Sequence, residues 1–170
     1  MRLLKLAAIS FVVLFILVTA ISFLVPSHIR ISKAINIKTT PDSIWNWVDD
    51  LSKWEQWNPL FNGIDKNKMT WLDTSGGKGN AVKVATTTVK WKEKKEGEHI
   101  ASMQNGDRKP VITGWKCMPH PGIDSITVQW WMDFSLRWYP WEKFGSLIFE
   151  RTYGIKMEKG LSNLKTILEK

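Results

Sequence analysis

A single cysteine, Cys117, stands in the 170-residue sequence, so no internal disulfide can form and no multi-cysteine metal site can be built. Free cysteine is among the most often buried side chains, and Cys117 is expected to be a small core hydrophobe. Histidine is nearly as scarce. His28, His99 and His120 fall at strand starts and in a Pro-His-Pro-Gly turn, at spacings that suit no metal and beside no nucleophile motif. Neither catalytic residues nor a metal nor a cofactor is therefore expected. A block of one charge sign is missing as well. The chain has 24 Lys and Arg against 16 Asp and Glu, but its densest basic run, residues 90–96, interleaves Glu93 and Glu96. That pattern reads as the solvated face of a hairpin, and nucleic acid is not an expected partner. Residues 76–79, Gly-Gly-Lys-Gly, lack the Gly-Lys-Ser/Thr that opens a phosphate-binding helix and read as a turn.

What the chain has in abundance is apolar surface of two kinds. Residues 6–25 contain no charge, and about 20 such residues span a bilayer core as a helix. Val18 and Ala20 would also suit a signal-peptide cut after Ala20, but the apolar run continues through Ile21, Phe23 and Leu24, beyond an ordinary signal core of about 7 to 15 residues. Residues 1–27 are therefore expected to be an uncleaved single-pass anchor, leaving residues 28–170 as one domain of ordinary size. Arg2 and Lys5 flank the run on one side and Arg30, Lys33 and Lys38 on the other. The count of positive charge is nearly even, and our reading puts the domain on the extracytoplasmic side. The second kind is tryptophan, 11 residues of it, which implies a core built from large flat amphipathic rings.

Residues 153–170 read as one amphipathic helix, with Met157, Leu161, Leu164 and Leu168 on a stripe. A lone helix cannot bury its own stripe. Because most of the chain ahead of it alternates, the expected partner is the concave face of an antiparallel sheet, in an α+β domain. Residues 28–37 alternate most clearly, Ile29, Ile31, Ile35 and Ile37 against polar or small neighbours, with Lys33 on the apolar side as an edge or cavity-mouth position. Thr39, Thr40, Pro41 and Asp42 start a helix that runs to about residue 50 with Ile44, Trp45 and Val48 inward. A second short helix over residues 51–57, with Ser52 as its cap, places Trp54 and Trp57 on one face until Asn58-Pro59 stops it. Further strands are expected at residues 68–73, 82–92, 98–103, 110–118 and 125–134, six in all. A seventh would come from a bend within 82–92 or from the loop after Pro59. A short helical run with Phe144, Leu147 and Ile148 should be separated from the last helix by Gly154.

The first strand, then Thr-Thr-Pro-Asp-Ser-Ile-Trp at 39–45, then Asp50, Trp54, Trp57, Asn58 and Pro59, and at the far end Met-Glu-Lys-Gly-Leu-Ser-Asn-Leu-Lys at 157–165 resemble the START-like (SRPBCC, Bet v 1-like) superfamily. Within it they resemble the polyketide cyclase/dehydrase and lipid-transport group. The resemblance implies a helix-grip fold over residues 28–170, with about seven antiparallel strands around the C-terminal helix and two short helices closing one end. It also implies that an apolar small molecule is held between helix and sheet.

Alternation puts Trp130, Met132 and Phe134 on the inner face of the last strand, and Trp91 and Trp115 belong to strands whose other face is polar or small. With Trp57 from the capping helix and Met157 and Leu161 from the stripe, these eight residues are the expected cavity lining. Trp138, Tyr139 and Trp141 form a cluster that is either further lining or an interfacial belt at a membrane. Asp133, Glu142 and Glu150 are the acids a cryptic lyase or cyclase site would draw on, and strand-face or helix-face acids are more often simply solvated. The expected function is a membrane-tethered binding module for a lipid or other apolar small molecule. The alternatives are a polyketide cyclase/dehydrase-like enzyme using the same cavity, or an envelope protein acting through a protein partner.

Overall fold

The computed structural model describes residues 2–62, 69–73, 80–122 and 124–170. The turn expected at residues 76–79 and Lys68 lie outside these. An N-terminal helix, α1 (Arg2–Ser22), leads into strand β1 (His28–Ile37). Next come α2 (Pro41–Val48), a 3-10 turn (Leu51–Lys53) and α3 (Trp54–Trp57). Strands β2 (Met69–Asp73), β3 (Ala81–Val84), β4 (Thr87–Lys95), β5 (Glu98–Asn105), β6 (Val111–Pro119) and β7 (Ile126–Ser135) follow. The chain then forms α4 (Pro140–Gly145), a 3-10 turn (Ser146–Ile148), a π-helical turn (Glu150–Gly154) and α5 (Ile155–Leu168).

The seven strands form one antiparallel sheet in the order β1-β7-β6-β5-β4-β3-β2, and α5 packs on β1 and β7. The seventh strand comes from a bend in the long apolar run. Ala85 adopts φ 53°, a left-handed conformation that turns the chain between β3 and β4. The inner face of the sheet carries Ile31, Val89, Val128, Trp130 and Met132, and the helix contributes Met157, Leu161 and Leu164, all nearly or fully buried.

Local chemistry explains most element ends. The Thr40 hydroxyl accepts from the Ser43 N–H and caps α2. The next turn is capped by Asp50, two residues ahead of the expected Ser52: the Asp50 carboxylate accepts from both the N–H (3.1 Å) and the hydroxyl (2.5 Å) of Ser52. Partial burial pushes the Asp50 carboxyl up, but these bonds and the neighbouring Lys53 outweigh it and hold it below its ordinary range. At the other end, Gly154 does not break the chain. It is buried in the π-helical turn, where a Cβ would meet Glu150 Oε1 at 3.0 Å and Lys33 Cε at 3.1 Å. Helical geometry therefore runs continuously from the turn into α5.

Trp131, on the outer face of β7, lies against Gly114 of β6. The Arg30 guanidinium sits 4.5 Å from its ring centroid and is itself bonded at 2.6 Å to both Asp133 carboxylate oxygens. That pair holds the guanidinium pKa above its ordinary value.

Candidate functional site

The interior has two unlike ends. At one, tryptophans pack ring against ring: Trp115 lies 5.0 Å from Trp54, 5.7 Å from Trp91 and 5.6 Å from Trp130 between centroids, and Trp57 lies 5.7 Å from Trp130. Mostly edge-on or tilted geometry suits the ring quadrupoles. The Trp54 indole donates to Val48 O at 2.7 Å and that of Trp130 to Thr113 Oγ1 at 2.8 Å. Among the described residues the indole N–H groups of Trp57, Trp91 and Trp115 find no hydrogen-bond acceptor. Beside this cluster His99 Nδ1 contacts Asp49 Oδ1 at 2.6 Å, Lys94 Nζ reaches Asp49 Oδ2 at 3.2 Å, and Trp45 stacks on the imidazole at 3.8 Å. This group ties α2 to the β4–β5 hairpin.

At the other end is a cleft of about 1040 Å³. Its floor is made by Met132 and Phe134 of β7 with Phe149 and Tyr153. Phe134 lies 4.9 Å from Phe149 and 4.8 Å from Tyr153. The π-helical turn sets this up, since Phe149 just ahead of it and Tyr153 within it both pack on Phe134 of β7. Leu60 and Phe61, after α3, close one side, and Met103 and Val111 of β5 and β6 the other. Charged groups gather at the mouth: Asp107, Arg108 and Lys109 at the β5–β6 turn, and Arg137 and Glu142, whose carboxylate accepts from the Arg137 N–H at 2.8 Å.

Of the eight residues expected to line one cavity, Met132 and Phe134 are at the cleft. Trp57, Trp91, Trp115 and Trp130 form the ring cluster, and Met157 and Leu161 pack in the core. Alternation identifies the inner face of a strand but not the position along it, and bulky rings at the Trp115 level fill the space that smaller side chains leave open further along. Phe149 and Tyr153 were missed, although their spacing of four just ahead of the helical stripe was a usable signal. Among the acids, Asp133 pairs with Arg30 outside the sheet, Glu150 pairs with Lys33 at 2.7 Å, and Glu142 is at the cleft mouth. Cys117 is buried, and desolvation pushes its thiol up to about 12. Among the described residues no group of three or more metal-ligating side chains occurs.

A seven-stranded antiparallel sheet wrapped on a C-terminal helix, with short helices after the first strand, defines the START-like helix-grip class. Residues 28–169 match the family model described as polyketide cyclase / dehydrase and lipid transport, and the chain belongs to that family. No curated protein matches the sequence. Among solved structures, a START superfamily protein from Mycobacterium smegmatis superposes with a TM-score of 0.61 at 19% identity, over 82% of this chain and 97% of that one. Truncated norcoclaurine synthase from Thalictrum flavum gives 0.58 at 13% identity, over 84% and 95%. The di-domain ARO/CYC StfQ from the steffimycin biosynthetic pathway gives 0.60 at 9% identity, over 84% of this chain and 51% of that one. At these identities the likeness is one of fold.

Proposed function

We propose that the protein is a membrane-tethered binding module that holds a lipid or other apolar small molecule in the cleft between the sheet and the segment leading into α5. The observation that carries this reading is the cleft itself, about 1040 Å³ with an apolar aromatic floor, at the upper end of the roughly 300–1,000 Å³ usual for small-molecule sites. The charged side chains of its lining gather at its mouth rather than on its floor. That arrangement supports holding a ligand and orienting a polar end more than general acid–base chemistry at the buried end. Apolar surface buried there would contribute about 25 cal/mol per Å² before the costs of association. The tether is α1, long and apolar enough to cross a membrane, which places the domain beside a supply of such ligands.

The test is to purify the full chain from membranes in mild detergent, extract it with organic solvent and identify stoichiometric apolar species by mass spectrometry. An apolar fluorescent probe should then bind the delipidated protein and be weakened several-fold by Phe149→Ser. Failure of a well-folded chain to retain a lipid or bind any probe would sink the reading and favour the partner-binding alternative. Turnover of a bound polyketide-like compound, abolished by changes at Glu142 or Arg137, would favour the enzyme.

A further inference from the structure

The segment linking β7 to α5 exposes far more apolar surface than a water-facing segment ordinarily does. Trp138 is 56% exposed, Trp141 64%, Leu147 68% and Ile148 62%, and Phe144 is also exposed. Trp141, Phe144, Leu147 and Ile148 recur at helical spacing, and Tyr139 stacks on Trp141 at 4.8 Å. A contiguous apolar patch of this kind marks an interaction surface.

What covers it follows from where it is fastened. Helix α1 packs on α4. Lys143, 3% exposed, donates from Nζ to Val25 O at 2.6 Å and to Ser27 Oγ at 2.8 Å, and the Leu136 N–H donates to Ser27 O at 2.8 Å. Contact extends into the last turn of α1, where Ser22 is buried and Val18 and Thr19 are half-buried. The charge-free part of α1 begins after Lys5 and runs through Ser22, and at about 1.5 Å per residue it crosses most of a hydrocarbon core of roughly 30 Å. Ser22 therefore falls at the edge of that core, and an element packed on the last turn of α1 shares its depth. Tryptophan and tyrosine are the residues favoured at that level. Exposed Arg137, Arg151 and Lys156 flank the patch and suit the anionic headgroups of a leaflet.

We infer that α4 and the 3-10 turn after it form a docking face seated in the headgroup region of the bilayer that holds α1, and that this seating sets the cleft mouth against the leaflet. Arg137, Trp141 and Gly145 belong to both the face and the cleft wall. An apolar ligand then passes between leaflet and cleft without crossing bulk water. The inference rests on α1 being a membrane tether but not on which side the domain occupies.

Depth measurement on the full chain in phosphatidylcholine–phosphatidylglycerol vesicles tests it. A nitroxide is attached at Leu147→Cys or, separately, Ile148→Cys, both exposed positions, and a control at Glu96→Cys in the β4–β5 turn at the opposite end of the sheet. Buried Cys117 stays unlabelled. The expected result is a ratio of oxygen to aqueous-nickel accessibility several-fold higher at 147 and 148 than at 96, with a depth at the headgroup boundary. Alkaline carbonate separates the two ways of failing. If the protein stays with the vesicles but labels 147 and 148 match label 96, the docking face is overturned and the tether stands. If carbonate strips the wild type from vesicles, the tether itself is wrong and the docking face goes with it.

Discussion

Gly160 of α5 lies directly against the Trp130 ring of β7. A Cβ on it would come to 2.9 Å from Trp130 Cζ3 and 3.0 Å from Pro59 Cδ. Glycine inside a helix ordinarily costs about 1 kcal/mol relative to alanine, and in the middle of α5 it lets the helix backbone lie close against the Trp130 ring. Trp130 is fully buried and its indole N–H is held by Thr113 Oγ1, so that ring cannot yield cheaply.

Gly160→Ala should therefore destabilise the domain, against the usual direction for that exchange in a helix. Overpacking costs of about 1–3 kcal/mol exceed the propensity gain, and chemical denaturation should show a net loss on the order of 1 kcal/mol. A gain in stability would mean that α5 stands further from β7 than described.

Leu161→Asp should be more damaging. Leu161 is 1% exposed in the α5 stripe, and an unpaired carboxylate there costs on the order of 4 kcal/mol or more. Thermal melting of the variant should be lost or severely lowered. Wild-type melting would show that the stripe is not gripped by the sheet.

Thr113 gives a finer test of the tryptophan end. Its hydroxyl accepts from Trp130 Nε1 at 2.8 Å and donates to Trp131 O at 3.0 Å while fully buried. Thr113→Val keeps the shape and strands the Trp130 N–H, at a cost of about 1–3 kcal/mol. Thr113→Ser should recover most of that loss, apart from the packing of one methyl group. A Val variant as stable as wild type beside a destabilised Ser variant would mean that packing, and not the hydrogen bond, is what matters there.

The elements were legible because each leaves a local trace: alternation in β1 and β7, the Thr40 cap with Pro41, and the stripe of α5. The site was legible only in part, and the reason is geometric. A strand pattern gives the facing of Trp130, Met132 and Phe134 alike, but whether a ring meets a neighbour or an open space depends on residues far away in sequence, such as Trp54 against Trp115 or Phe149 against Phe134. The π-helical turn that aims Phe149 and Tyr153 has no sequence signature of comparable strength. Gly154 looked like a break because glycine usually is one, whereas here it is the residue small enough to pass Lys33 and Glu150.

Lys33 provides a prediction in pH. From β1 its Nζ reaches Glu150 at 2.7 Å and Glu158 at 2.9 Å, joining the strand to the π-helical turn and to α5. The hydrogen bond that Nζ donates to Glu150, then that to Glu158, raises the ammonium pKa from an ordinary 10.5 to about 12. A base whose pKa is raised on folding contributes stability that is fully present below its unfolded pKa of 10.5 and is lost as pH rises through about 12. The difference in melting temperature between wild type and Lys33→Met should therefore be constant up to about pH 10 and shrink between 10.5 and 12, because only the wild type loses a charge at this position. Comparing the two proteins at each pH removes the contribution of the other lysines that titrate in the same range. The pair is partly solvated, so added salt should also narrow the difference at neutral pH. A difference that stays unchanged through pH 12 would show that the aliphatic stem of Lys33, packed near Gly154, contributes the stability and the ion pairs do not.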